Sequence, residues 1–280
     1  MRRREFVTLA ASGPALAAIA PINLDRVKLR KTGKVETVFK SPGPHPNGLQ
    51  ATDDGLWILD QGDNKAYLVT YQDGKTLRQF LTGSDRGSGI TFDGEALWLG
   101  STYNRETVRC DATTGKTLAR YFTPGAGVIY KTKWDPPARS SPLAKPSPAS
   151  DQPKTLPSKD PAAPNTLGTG AHGQEFRNGQ LWMAVPPSRM IYRIDPKTWV
   201  VEQQFPTAGN RPHGIGWEKD YLWCTDSNLN AFFKHDPSTG EIIERIQLAD
   251  SDPLPHGMTI WQGAIWYCDD VGVVCRLSLG

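Results

Sequence analysis

The chain has 280 residues, of which 38% are hydrophobic and 9% aromatic, with 27 Gly, 23 Pro and nine Trp. That is enough for one large domain with its own core. Thirty-two Lys and Arg against 29 Asp and Glu leave a formal charge of only +3, part of it in Arg2, Arg3 and Arg4, so no basic field points to nucleic acid as a partner.

Residues 1–20 begin with that charged cluster, continue through a short, mildly apolar run and end small-x-small at Ala18-Ile19-Ala20. This is the layout of a signal peptide, and the run is well short of the ~20 apolar residues a spanning helix needs. Arg3-Arg4-Glu5-Phe6 resembles the twin-arginine signal that exports folded proteins. The resemblance implies passage through the twin-arginine (Tat) machinery, cleavage after Ala20 and a periplasmic or secreted protein with no membrane partner thereafter. An uncleaved tail or anchor is the alternative.

Val27 to Phe39, broken at Gly33, reads as the closing hairpin of a repeat unit. From residue 47 one phrase recurs: a polar residue before Gly, an apolar run, a turn, then Leu-Trp or Ile-Trp. It starts at Asn47, Ser88, His172, His213 and His256, and its tryptophans are Trp57, Trp98, Trp182, Trp223 and Trp266. Spacings of 41, 84, 41 and 43 residues fit one four-stranded blade per repeat, so the fold class is an all-β propeller of five blades over residues 21–280. A solenoid is the alternative architecture. The repeats occupy residues 47–82, 88–123, 172–206, 213–248 and 256–280. The last lacks an outer strand and the N-terminus has one to spare, so Val35 to Phe39 is expected to close the ring.

Residues 126–168 carry too much proline for central strands and have no Trp phrase. They read as a long inserted loop serving as a lid, with a sixth blade as the alternative. Of four cysteines, Cys268 and Cys275 would face each other across a turn at Val271-Gly272, where a disulfide could form; Cys110 and Cys224 read as buried apolar residues.

In a propeller the connections into each inner strand share a face with the loops between second and third strands. His172, His213 and His256, with His45 nearby, therefore meet at one mouth. The expected cofactor is a divalent metal ion of open identity (Zn, Cu, Fe or Mg), converging imidazoles suiting Zn, Cu, Fe or Ni better than an all-oxygen cation; histidines repeated by duplication, with no ligand role, are the alternative. Gln50, Thr91, Glu175, Gly216 and Thr259, at an equivalent inner-strand position, are expected to line the channel. Glu175 is the candidate general base or carboxylate ligand, unless it pairs with Arg177. Loop residues Arg105, Arg189, Asp226, Asn228 and Asp269 are candidate substrate contacts. His235, before a turn on the opposite face, reads as structural.

The phrase Pro212-His213-Gly214-Ile215, continued by Leu222-Trp223 and Asp226-Ser227-Asn228, resembles the repeats of the virginiamycin B lyase (streptogramin lyase) family and the wider gluconolactonase/SMP-30 and NHL-like propellers. The likeness covers nearly all of residues 43–280 outside the insertion. It implies a divalent metal held by histidines and an acid, and ring-opening elimination with His213 and His256 in the histidine positions. The nearest acid before His256 is Asp252, four residues upstream, where the lyases have one closer, and they carry seven blades. The expected function is an exported, monomeric, metal-dependent lyase or hydrolase acting on a small ester, lactone or cyclic molecule. A redox enzyme using iron or copper, or a non-catalytic binding propeller, would use the same face.

Overall fold

A computed structural model of the chain describes residues 22–130, 132–133, 135–144 and 168–280. The expected signal segment and most of the proline-rich insertion lie outside these residues. Apart from one short 3-10 turn at Leu24–Arg26, the described residues are strands, turns and loops.

Five blades of four antiparallel strands form the ring, one of them extended by a fifth strand, with a separate two-stranded ribbon beside them. The first blade is Pro46–Thr52, Gly55–Asp60, Lys65–Val69 and Thr76–Leu81. The second is Gly87–Phe92, Ala96–Ser101, Glu106–Asp111 and Thr117–Phe122. The third runs through Gly173–Arg177, Gln180–Val185, Met190–Asp195 and Val200–Pro206, and the fourth through Pro212–Glu218, Tyr221–Asp226, Ala231–His235 and Ile242–Gln247. Met258–Trp261, Ala264–Asp269 and Val273–Ser278 make the fifth. Its outer strand is Glu36–Lys40, antiparallel to Val273–Ser278 with Glu36 opposite Arg276. The expected ring closure is present, and the solenoid and six-blade alternatives are excluded.

Each repeated tryptophan fills a different gap between blades. Trp57 packs between blades one and two, Trp98 between two and three, Trp182 between three and four, Trp223 between four and five, and Trp266 between five and one. The core is thus five layers, each needing both flanking blades. At the axis the inner strands nearly touch. A Cβ on Gly48 would strike the Ser88 carbonyl, on Gly89 the Gly173 backbone, on Gly173 the His213 carbonyl, on Gly214 the Met258 amide and on Gly257 the Asn47 carbonyl. These five contacts run once around the ring, which is why every repeat has Gly after its polar residue.

Two expectations are corrected. Val27 to Phe39 is not a hairpin: Lys28–Leu29 adds a parallel fifth strand to the outer edge of blade four, opposite Glu244 and Arg245. Arg30 secures it, pairing with Glu218 at 2.8 Å and Glu244 at 2.7 Å above the Trp223 ring. The N-terminal segment therefore ties blade four to blade five. Cys268 and Cys275 do not face each other. Cys268 is opposite Val274 and Cys275 opposite Tyr267, because the turn holds three residues, Asp270 to Gly272, and a one-residue change of register sends side chains to opposite sheet faces. Cys268 belongs to the layer between blades five and one and Cys275 to that between four and five, and all four cysteines are free and buried.

Candidate functional site at the channel mouth

Three buried carboxylates shape the mouth. Asp60, Asp226 and Asp269 each end a second strand and accept a hydrogen bond from the amide three residues before the inner-strand Gly: His45 at 2.7 Å, Arg211 at 3.0 Å and Leu254 at 2.7 Å. The same carboxylates cap their own loops, accepting from Gly62 and Asp63, from Leu229, and from Val271. Burial raises the pKa of Asp226 to about 6 and that of Asp269 above its ordinary range. Asp226 and Asp269, expected as substrate contacts, thus hold the loops that present the histidines.

At the residue before each Gly the side chains make a chain around the mouth. Ser88 Oγ shares its one proton between Asn47 Oδ1 at 3.2 Å and the His172 carbonyl at 3.3 Å. The His172 and His213 rings meet edge to face with centroids 4.8 Å apart, as do His213 and His256 at 4.6 Å. His213 and His256 are 2% and 1% exposed; His172 is half-buried. Burial, the Arg211 guanidinium and the neighbouring imidazoles hold all three well below the ordinary imidazole range, His256 at about 3. The mouth therefore holds three neutral imidazoles at physiological pH.

Their partners fix two tautomers. Ser227 Oγ donates to the Pro255 carbonyl at 2.6 Å, so its bond to His213 Nδ1 at 3.0 Å, like the 3.1 Å contact of Nδ1 with the Arg211 carbonyl, requires the proton on Nδ1. Nε2 of His213 keeps its lone pair. Arg211 Nη2 donates to His256 Nε2 at 3.0 Å, which places the His256 proton on Nδ1, toward the Leu254 backbone but short of hydrogen-bond geometry. His172 Nε2 meets Thr169 Oγ1 at 2.6 Å and its Nδ1 is buried without a partner.

The four-histidine set is only partly assembled. His45 occupies the register of Arg211, three residues before Gly, and is half-buried in the adjoining blade. Among the described residues the ligand atoms that converge are those of His256, Asp269 and Asp270, all within 4.8 Å of one another; His256 Nε2 lies 3.4 Å from Asp270 Oδ2. One imidazole and two carboxylates form a donor set suited to a divalent cation, and the 3.4 Å separation suits two ligands of one ion at ~2.1 Å. Arg211 holds the same lone pair, so the guanidinium and a cation would compete for it.

The described part of the insertion crosses this mouth. Gly127–Val128 and Gly168–Thr169 pair as a two-stranded ribbon at its base, with Arg105 packed against Gly168. Residues 135–144 then run over blades three, four and five. Asp135 takes a bidentate pair from Arg189 at 2.7 and 2.8 Å, the Arg139 amide donates to Asn228 Oδ1 at 3.1 Å, its carbonyl accepts from Arg211 Nη1 at 3.0 Å, and Ser141 donates to Asp269 Oδ2 at 2.6 Å. Arg189, Asn228 and Asp269 are thus engaged by this strap.

Glu175 lies one tier deeper, beyond the glycine ring and roughly 10 Å along the strand from the histidine level at ~3.3 Å per residue. The expected lining tier is there: Thr259 donates to Glu175 Oε1 at 3.3 Å, and Thr91 donates to Gln50 Oε1 at 2.5 Å and accepts from the Phe176 amide. Arg177 turns away, toward the Lys219 carbonyl and Asp220. Burial raises the Glu175 pKa to about 8. His235 is buried on the far side, beside the Gly240 carbonyl and the Phe205 ring.

Arg211, Ser227 and Asp270 are the site residues that motif reading passes over. Arg211 and Ser227 stand inside the repeated phrase itself, and Arg211 shares the register of His45, a signal that counting histidines alone misses.

Fold and mouth together define the class: a closed five-bladed propeller with a covered, histidine-lined end. No protein-family profile and no curated protein sequence matches the chain. Among solved structures it is similar to the glutaminyl cyclase of Myxococcus xanthus, with a TM-score of 0.59 and 9% identity over 88% of this chain and 94% of that one. It is also similar to a catalytically inactive virginiamycin B lyase from Staphylococcus aureus with quinupristin, with a TM-score of 0.46 and 20% identity over 84% of this chain and 66% of that one. A streptogramin B lyase gives a TM-score of 0.47 and 19% identity over 84% and 65%. At these identities the likeness is one of fold.

Proposed function

We propose that the chain is an exported enzyme, a lyase or hydrolase of a small ester, lactone or cyclic substrate, working at the covered histidine mouth. The observation that carries this reading is the fixed tautomer of His213, a buried neutral imidazole whose Nε2 lone pair is left free by Ser227 and the Arg211 carbonyl. Such a nitrogen is unprotonated at physiological pH and can take a proton from water, giving hydrolysis, or from a carbon next to a carbonyl, giving elimination, once negative charge developing on the substrate offsets the burial that holds its basicity down. Proton transfer is assigned to His213 rather than to Glu175, which lies beyond the glycine ring. Arg211 is placed to stabilise an oxyanion beside His256, and the strap over the mouth excludes water. His256, Asp269 and Asp270 would hold a divalent cation, whose contribution when bound is to polarise a substrate carbonyl. The enzymes among propellers of this fold, the glutaminyl cyclase and the lyases, support an enzymatic reading.

The test is turnover of a panel of γ- and δ-lactones, aryl esters and cyclic depsipeptides by the wild type, His213→Ala and His213→Gln. One substrate class is expected to be turned over, with kcat falling at least about 100-fold in both variants. Activity that survives both substitutions, or no turnover across the panel with or without added divalent cations, contradicts it.

A further inference from the structure

Blades two, three and four repeat one arrangement on the face away from the histidines. In each, the second-strand tryptophan stands opposite a third-strand cation: Trp98 opposite Arg109, Trp182 opposite Arg193, Trp223 opposite Lys234. Each cation lies over its own indole at 5.6 to 5.8 Å. Blades two and four complete the unit with a carboxylate four residues after the inner-strand Gly. Asp93 accepts from Trp98 Nε1 at 2.8 Å and pairs with Arg109 at 3.3 Å, and Glu218 accepts from Trp223 Nε1 at 3.0 Å and pairs with Lys234 at 2.7 Å. An indole N–H and a cation thus share one carboxylate in both blades.

Blade three has Arg177 at that position. Its guanidinium leans across to blade four, stacking on Trp217 at 4.5 Å and reaching the Lys219 carbonyl and Asp220, whose side chain is 93% exposed. What remains is an open cavity of about 280 Å³ between blades three and four, lined by Arg177, Gln180, Trp182, Arg193, Trp217 and Asp220 among others. Trp217 Nε1 is buried there without a hydrogen-bond partner, and so is Arg193 Nε, which lies 3.2 Å from Glu202 on the outer strand without hydrogen-bond alignment. Blades one and five do not repeat the deficit: blade one has Leu68 rather than a cation opposite Trp57, and in blade five, where Arg276 stands opposite Trp266, Trp261 takes the carboxylate's position and stacks on Tyr71.

We propose that this cavity binds the carboxylate of a small organic acid. The ligand's carboxylate would sit where Asp93 and Glu218 sit in the neighbouring blades, with Arg193 as its cation and the Trp182 and Trp217 indole N–H groups as donors, while the indole and guanidinium faces take a flat apolar body. Buried donors without partners and a cation at hydrogen-bonding reach favour an anion, and a cavity below the ~300 Å³ of ordinary ligand pockets limits the guest to a small acid. The site is independent of the histidine mouth.

The probe is sodium benzoate, with benzamide as the neutral isostere and inorganic phosphate as the competing anion, followed by calorimetry and by the indole N–H resonances of the full chain. Saturable one-to-one benzoate binding is expected, shifting the Trp217 indole signal, with benzamide and phosphate at least about tenfold weaker. Arg177→Glu supplies the unit's own carboxylate and should abolish binding; Trp217→Phe, which keeps the ring and removes the N–H, should weaken it several-fold. Benzoate binding that Arg177→Glu or Trp217→Phe leaves unchanged overturns the proposal, as does phosphate binding as tight as benzoate or the absence of saturable binding in the wild type.

Discussion

Glu175 and the mouth histidines depart from ordinary titration in opposite senses, because burial penalises whichever form is charged. The Glu175 pKa in the fold, about 8, exceeds its unfolded value, so the unfolded chain releases this proton first as pH rises. Its contribution to stability is fully present below about pH 4.5 and is lost progressively up to about pH 8. Glu175→Gln should therefore match the wild type near pH 4.5 and exceed it by on the order of 4 kcal/mol near pH 8, read from urea unfolding at the two values. A difference that does not change with pH would mean that Glu175 is ionised in the fold. The histidines work the other way: their folded pKa values are depressed, and the stability they confer falls as pH drops below about 6.5. At this scale the sequence showed which residue types share a register, because repeats can be aligned on Gly. It could not show that Ser227 fixes the His213 tautomer or that Arg211 faces His256, since both depend on chain segments brought together by the fold.

At the scale of strands, the glycine ring and the aspartate clamps set the mouth. Every inner strand lies against the next with no room for a Cβ, and Gly214, against the Met258 amide, is the tightest case. Gly214→Ala should destabilise the protein by about 3 kcal/mol or more, since a backbone neighbour cannot rotate aside as a side chain can. Thermal unfolding checks it; a change within about 0.5 kcal/mol would show that the inner strands separate easily. Gly263, whose Cβ would meet nothing, is the natural control position for local space, although its positive φ carries its own strain. The strands and their turns were readable from alternating apolar runs bounded by Asp, Pro and Gly. The register of the last hairpin was not, because a two-residue and a three-residue turn are equally compatible with Val271-Gly272, and that choice decides which face Cys268 and Cys275 take. Lys28–Leu29 escaped for a related reason: a two-residue strand has no periodicity, and its place depends on Arg30 finding two carboxylates on blade four.

For the whole molecule, tryptophans spaced 41, 84, 41 and 43 residues apart pointed to five blades once the proline-rich stretch in the 84-residue gap was read as an insertion, and the spare N-terminal strand pointed to ring closure, since each blade can bury its faces only against its neighbours. The symmetry is broken at two places. His172, His213 and His256 replace Asn47 and Ser88 around the mouth, and Arg177 replaces a carboxylate on the opposite face. In the function proposed for the covered mouth, His256, Asp269 and Asp270 would hold a divalent cation beside His213 once Arg211 releases the His256 lone pair. Elemental analysis of protein purified from the organism that makes it tests this most directly. About one divalent ion per chain is expected, lost in both His256→Ala and Asp270→Asn while the fold is retained; protein with no stoichiometric metal, or metal content unchanged by both substitutions, would overturn the cation site.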